Sequence, residues 1–160
     1  MPLWRTFYHI VWTTKKRLPL ISEEIEPALF RHIAQKTKQY GGVFHAVGGV
    51  EDHVHLVASI PPKISVSEFV GKIKGASARF ANRELRAKGK AFAWQDGYGV
   101  FTLGESQLAR AIGYAENQKR HHRERTTVRL LEMDRDPDAD RMEARSGGNQ
   151  PAPPANSRNR

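Results

Sequence analysis

The sequence contains no cysteine among its 160 residues. Disulfides, thiolate nucleophiles and cysteine-bound zinc are therefore excluded, and any metal ion must be held by histidine and oxygen ligands. This ligand set favours hard divalent ions such as magnesium or manganese.

Long apolar runs are also missing, since no stretch approaches the roughly 20 apolar residues that span a bilayer. The first residues, MPLWRTFYHIVWTTKKR, place apolar before basic residues, which is not the order of a signal peptide. We therefore expect a cytoplasmic protein without a membrane partner. Its length suits one domain of ordinary size.

Acidic residues are in deficit, with 17 Asp and Glu against 26 Lys and Arg, which gives a net charge of +9. After residue 132 five arginines balance five acids, so the basic excess lies in residues 1–132. A basic folded surface suggests a polyanionic partner, most often nucleic acid, although a merely basic soluble protein has the same composition. We predict one domain over residues 1–132 and a disordered tail over residues 133–160, which are too polar to form a core.

Periodicity and capping signals predict strands at RTFYHIVWTT, VFHAVGGV and HVHLVASI, with further strand-like segments at AFAW and YGVFTL. A first helix is predicted from Ser22 to Tyr40, and a second opens at the capping box of Ser65 and Glu68. A third is predicted from near Ser106 through HHRER. This order predicts an α+β, ferredoxin-like (RRM-like) antiparallel sheet with two helices on one face, followed by a C-terminal tyrosine-bearing helix.

Two histidines, His53 and His55, stand one residue apart on the third predicted strand. Residues i and i+2 of a strand share a face, so both imidazoles point away from the side of Val54 and Leu56, which we assign to the core. Such a pair can share one divalent ion. Hydrogen-bonded or surface histidines produce the same spacing.

The third helix places Tyr114, Gln118 and His122 on one face, at i, i+4 and i+8. The Gln118 carbonyl oxygen is a ligand type that hard cations accept, and Tyr114 offers a phenol one turn away. Together with the histidine pair, these residues suggest an open catalytic metal site. Each of them also has an ordinary packing or solvated role.

The motifs HVH and YAENQ, in this order, resemble the HUH and tyrosine motifs of the single-tyrosine HUH transposases of the smallest bacterial insertion sequences. The segments YHIVWTTKKRLPLI, VGGVEDHVHLVASIPPKISV, KIKGASARFAN and FAWQDGYGVFTL extend the resemblance over about residues 4–125. The REP-associated tyrosine transposases are close relatives within the same superfamily.

The resemblance implies a DNA transposase that cleaves and rejoins single-stranded DNA at insertion-sequence ends and recognises hairpins there. It implies that His53, His55 and Gln118 hold Mg²⁺ or Mn²⁺ and that Tyr114 attacks the phosphate to form a 5′-phosphotyrosine intermediate. No nucleotide cofactor is expected, because this linkage retains the phosphodiester energy. The resemblance further implies a homodimer with active sites shared between subunits.

The second helix is basic, and four of its residues are predicted to contact DNA: Lys72, Lys74, Arg79 and Arg83. A solvated helix face has the same composition. Two other functions stay open, namely a domesticated repeat-associated tyrosine transposase acting on chromosomal palindromes and a non-catalytic nucleic-acid-binding module. The relatives of the first kind tend towards Y-x-x-N-P, whereas Gln118 follows Asn117 here, which favours the mobile type.

Overall fold

A computed structural model describes residues 2–134 of the chain. Four strands form one sheet: β1 (Phe7–Thr13), β2 (Val43–Val50), β3 (His53–Ser59) and β4 (Gly99–Leu103). The α-helices are α1 (Glu26–Gln39), α2 (Val66–Arg86), α3 (Leu108–Glu116) and α4 (Gln118–Glu124). Short 3₁₀ helices cover Lys15–Arg17, Glu105–Gln107 and Arg129–Glu132.

The sheet has the strand order β2-β3-β1-β4, and every neighbouring pair is antiparallel. β2 and β3 form a hairpin around Glu51 and Asp52, with Gly48 opposite His55 and Val50 opposite His53. This order, with α1 and α2 as the two crossover connections, is that of the split β-α-β arrangement. The predicted α+β, ferredoxin-like fold is confirmed.

The main core lies between the sheet and the pair of helices α1 and α2. β3 contributes Val54 and Leu56 to it, and the helices contribute large apolar side chains such as Leu29 and Phe69, all four fully buried. α2 begins as its capping signal predicts, because the Ser65 hydroxyl accepts a hydrogen bond from the backbone N–H three residues on. The strand alternation therefore directs the histidines of β3 to the other face.

That other face is covered by α3 of the same chain. Ala111 and Ala115 of the helix pack on Ala46 and Val57 of the sheet. Gly48 makes this contact close, because a Cβ there would overlap the carbonyl oxygen of Ala115. A smaller second core results, made mostly from short side chains.

Three predicted elements differ in the structure. α1 begins at Glu26 rather than beside Ser22, since a turn precedes it and Pro27 occupies its first turn. The segment AFAW does not form a strand. The backbone N–H and C=O of Phe92 both form hydrogen bonds to the Asn82 side chain, at 2.8 Å. Trp94 forms one isolated β-bridge, to Thr14, the residue that follows β1. The third helix is divided at Asn117, which has φ −102° and ψ 26°.

The predicted tail, residues 133–160, lies outside the described residues except for its first two positions, and the boundary after residue 132 stays a prediction. Across residues 2–134 we find no helix with both the length and the apolar character that a membrane span requires.

Candidate active site

The histidine pair on β3 is deeply buried, with His53 1% and His55 0% exposed. Both Nδ1 atoms are bonded to neighbours: His53 Nδ1 lies 2.6 Å from Asp52 Oδ1, and His55 Nδ1 lies 2.8 Å from Nε2 of His9 on β1. Partners of this kind fix the ring orientation of metal-binding histidines. Both Nε2 atoms are consequently directed towards the space between the sheet and the tyrosine helix.

The helical side of the site comes from α3 and α4. The Gln118 side-chain amide donates to the Tyr114 carbonyl at 3.0 Å, which turns its Oε1 towards His53 Nε2 at 3.3 Å. His122, one turn further on, brings its Nε2 to 3.2 Å from His53 Nε2. The predicted face of Tyr114, Gln118 and His122 therefore reaches the histidine pair despite the break at Asn117.

A carboxylate that the sequence analysis did not single out, Glu132, lies at the centre of these groups. Its Oε2 is 2.8 Å from His53 Nε2 and 3.3 Å from the Nε2 atoms of both His55 and His122. Its other oxygen accepts a hydrogen bond from the Tyr114 hydroxyl. Glu132 thus contacts both the imidazoles and the phenol.

The Tyr114 hydroxyl is held on both sides by residues that follow the helix. It donates to Glu132 and accepts the backbone N–H of Val128 at 2.9 Å. The ring lies 5.6 Å from that of His55 and 5.8 Å from that of His9, measured between centroids. Burial, aided by the bond to Glu132, raises the pKa of Tyr114 to about 12, so the hydroxyl stays protonated at neutral pH in this arrangement.

Burial and hydrogen bonding shift the pKa values of the cluster in opposite directions. Burial alone would lower the pKa of His53, but hydrogen bonds to Asp52 and Glu132 outweigh it and raise the pKa to about 9. Burial dominates at His55, whose pKa is lowered, and at His9, whose pKa falls to about 3. Burial would raise the pKa of Glu132, yet its bonds to His53 and His55 hold it well below its usual range. Without a metal ion, the His53 imidazolium therefore lies between two carboxylates, those of Asp52 and Glu132.

These donors fit a divalent metal ion. Imidazole nitrogens, an amide oxygen and a carboxylate oxygen face one another. The opposite ring nitrogens of His53 and His55 are already bonded, as is usual for metal ligands. Within residues 2–134, one group of three such side chains has donor atoms close enough to hold a metal ion: His53, His122 and Glu132. It shares His53 with the predicted ligand set.

A surface cavity of about 710 Å³ adjoins Tyr114. The basic side chains Arg110 and Arg120 line it, together with His9 and His121. An anionic strand in this cavity would pass next to the phenol.

The four basic residues predicted for DNA contact lie on α2, the helix on the opposite face of the sheet. Lys72 forms an ion pair with Glu68, one turn away on α2, at 2.9 Å. Lys74 donates to two backbone carbonyls at 2.7 Å, which makes it part of the loop structure before β4. Arg79 and Arg83 line an open cavity of about 590 Å³, together with three further polar or basic side chains, Asn82, Arg86 and Lys90. The arginines are therefore better placed for a phosphate than Lys74 is.

Sequence reasoning missed three residues of the site, for different reasons. His9 could have been found, because it lies on the non-core face of the first strand, as His53 and His55 do on theirs. Asp52 directly precedes His53 and is a common type of imidazole partner. Glu132 follows the helices in a polar segment without periodicity, and nothing in the sequence indicates its position.

The fold and the site together define a class of protein: a ferredoxin-like domain that sets a sheet-borne histidine cluster against a tyrosine on a following helix. Comparison with known families agrees, since the model described as "Transposase IS200 like" matches residues 2–118. The chain belongs to this family of transposases, which are DNA-processing enzymes, and the predicted family relationship is confirmed.

Individual relatives are similar over most of the chain. The ISDra2 transposase TnpA of Deinococcus radiodurans is 31% identical over 115 residues, covering 69% of this chain and 82% of the relative. The transposase of insertion sequence IS200 from Salmonella typhimurium is 31% identical over 121 residues, covering 72% and 78%.

Two solved structures share the fold. A crystal structure from Deinococcus radiodurans R1, assigned as a transposase, has a TM-score of 0.60 at 28% identity, with 74% of this chain and 95% of that chain covered. A REP-associated tyrosine transposase bound to a REP hairpin has a TM-score of 0.53, with 91% and 87% covered. At 14% identity the second shows likeness of fold alone.

Proposed function

We propose that this transposase cleaves and rejoins single-stranded DNA at insertion-sequence ends, with Tyr114 as the nucleophile. The observation that carries the proposal is the position of the Tyr114 phenol, buried beside the His55 imidazole and linked to that of His53 through Glu132, on a chain of the IS200-like family. His53, His55 and Gln118 would hold a divalent ion, Mg²⁺ or Mn²⁺. When bound, that ion would supply polarisation of the phosphate and stabilisation of negative charge.

The chemistry is a transfer of the phosphoryl group from one oxygen to another. The Tyr114 oxygen bonds to phosphorus, the bond from phosphorus to the 3′ oxygen breaks, and the tyrosine proton ends on the released 3′-hydroxyl. The product is a 5′-phosphotyrosine, which a different 3′-hydroxyl can attack in the reverse sense to join strands. No external energy source is needed, since one phosphoester bond replaces another in each step.

The protein's own residues prepare this step. His9 and Asp52 orient the two imidazoles, and the bond from Gln118 to the Tyr114 carbonyl ties the amide ligand to the nucleophile's own helix turn. The basic cavity beside Tyr114 would receive the DNA backbone. We assign hairpin contact to Arg79 and Arg83 on α2, because these guanidinium groups line an open basic cavity.

We also propose that the protein acts as a homodimer with active sites shared between subunits. Within the described chain, α3 packs against the sheet of the same chain, mostly through short side chains. The same side chains could form this contact with the sheet of a second copy. β4 is an edge strand with Val100 exposed, which leaves backbone groups for pairing. Light scattering on the full chain at micromolar concentration tests this, and a monomer that cleaves DNA would contradict it.

The decisive experiment incubates the protein with end-labelled single-stranded DNA from both flanks of its gene, with Mg²⁺ or Mn²⁺. A covalent adduct on a denaturing gel that requires metal and disappears in Tyr114→Phe is expected. Tyr98→Phe is the matched control, because it removes a phenol hydroxyl outside the site. Hairpin binding without any adduct would instead favour the non-catalytic binding module.

A second candidate is a domesticated enzyme acting on chromosomal palindromes, since the REP-associated tyrosine transposase bound to a REP hairpin has the same fold, which does not distinguish the two functions. Assaying chromosomal palindromes beside the flanking DNA separates the two candidates. Preferential cleavage of the palindromes would favour the domesticated enzyme.

A further inference from the structure

The segment that follows α4, Thr126–Asp134, closes over the histidine cluster, and we call it the closing segment. Two hydrogen bonds attach it to the sheet side: Arg17 donates to the Glu132 carbonyl at 2.8 Å, and the Thr13 hydroxyl donates to Asp134 at 2.6 Å. Gly99 of β4 leaves space for the closing segment, because a Cβ at this position would overlap the Met133 carbonyl oxygen. The segment is thus anchored to the fold at several points.

The anchored segment places the Glu132 carboxylate within the histidine cluster. The Glu132 side chain is only 14% exposed, and its Oε2 meets the Nε2 atoms of His53, His55 and His122 at 2.8, 3.3 and 3.3 Å. Ligand bonds of about 2.1 Å at angles between 90° and 109° separate neighbouring donors by about 3.0 to 3.4 Å. The donor atoms around Glu132 therefore have nearly the spacing of ligands that share one ion.

A simple ion pair does not account for this arrangement. It would explain the contact of Glu132 with His53, but hydrogen bonds from His55 and His122 to the same oxygen would give that oxygen three N–H donors for its two lone pairs. The His55 and His122 nitrogens gain little from one another, since each neutral imidazole has a single N–H to donate. A shared cation would instead accept a lone pair from each of these donors.

We propose that Glu132 is a ligand of the divalent ion, with His122 beside it, so that the closing segment completes a site begun by His53 and His55. This inference rests on the proposed function, because it concerns the same ion. It adds an anionic oxygen to an otherwise neutral set, which strengthens binding of a hard cation. It also makes Glu132 a positioning residue, since its second oxygen holds the Tyr114 hydroxyl.

The test measures Mn²⁺ binding to the full-length protein by electron paramagnetic resonance, without DNA. In Glu132→Gln the dissociation constant should rise at least about tenfold, the range found when groups supporting a metal site are lost. Glu132→Asp, which keeps the charge on a shorter side chain, should recover part of the affinity. Glu124→Gln is the control, because Glu124 is exposed on α4 and, among residues 2–134, its carboxylate pairs with Arg120 alone, at 4.0 Å.

Other outcomes separate this inference from the proposed function. If His53→Ala abolishes Mn²⁺ binding while Glu132→Gln binds like the wild type, Glu132 is not a ligand and the proposed function stands. Tighter binding in Glu132→Gln would also overturn the inference, since the carboxylate would then be blocking the site. If His53→Ala binds as the wild type does, both proposals fail.

Discussion

The substitution Gly48→Ala is expected to move α3 away from the sheet and to slow DNA cleavage. A Cβ at this position would lie 2.7 Å from the carbonyl carbon of Ala115 and 3.3 Å from the Cα of Glu116, whereas ordinary contacts are 3.4–4 Å. Both neighbours are backbone atoms and cannot rotate aside. Because the Ala115 carbonyl oxygen would lie closer still, the helix must retreat by at least about 1 Å to restore van der Waals separation.

This displacement has two measurable effects. Inserting a methyl group into a close contact typically lowers the free energy of unfolding by about 1–3 kcal/mol. Because α3 carries Tyr114 while β3 carries the histidines, the same shift changes the distance between nucleophile and ligands. A misplacement of about 1 Å can lower a catalysed rate by roughly a hundredfold.

The rate of adduct formation on end-labelled single-stranded DNA and the urea midpoint of unfolding measure these effects. Gly71→Ala is the matched control, since an added Cβ on that exposed side of α2 meets nothing within 4 Å. It should raise stability by about 0.5–1 kcal/mol and leave the rate unchanged. A Gly48→Ala protein with wild-type rate and stability would refute the reasoning.

Three further predictions concern groups around the site and on α2. Replacing His9 by Phe removes the partner of His55 Nδ1 and should weaken Mn²⁺ binding by about 10- to 100-fold in a paramagnetic resonance titration, and unchanged affinity would contradict an orienting role. The metal-free protein should lose stability as pH rises: the pKa of His53 is raised to about 9 from an unfolded value near 6.5. Its stabilising contribution, about 3 kcal/mol, is therefore complete below pH 6.5 and lost as pH passes 9. Urea unfolding in a chelator between pH 6 and 9.5 checks this, and His53→Gln should flatten the dependence. On α2, Arg83→Ala should weaken hairpin binding and reduce its salt dependence by about one unit of slope. Lys74→Met should chiefly lower the unfolding midpoint, because the Lys74 ammonium group donates hydrogen bonds to two backbone carbonyls. Equal losses of DNA affinity in both variants would contradict a DNA-binding role for Arg83 and a structural role for Lys74.

The hairpin that carries His53 and His55 was predictable from the sequence because its pattern is local. Polar and apolar residues alternate from His53 to Leu56 at the start of β3, and the short connection at Glu51 and Asp52 sets the register. The start of α2 was equally predictable, since Ser65 and its capping partner act within one turn. Signals of this kind depend only on neighbouring residues.

Other features depend on contacts between distant segments. The backbone of Phe92 could form a strand but pairs instead with Asn82, ten residues earlier. Glu132 lies in a segment without periodicity, and its position follows from anchors such as Arg17 and from the space that Gly99 leaves. The positions of Phe92 and Glu132 thus depend on tertiary contacts, which the local sequence pattern does not predict.

The two faces of the sheet are held with unequal strength. One carries a layer of large side chains from α1 and α2. The other holds α3 through a smaller cluster, in which three of the four buried residues are alanines and larger side chains such as Leu108 and Ile112 are only partly buried. We expect α3, α4 and the closing segment to open as one cooperative unit while the remaining sheet stays folded. Amide protons of α3 should then exchange with solvent well before those of β3, so the half of the site that carries the tyrosine can depart and return without unfolding the half that carries the histidine pair.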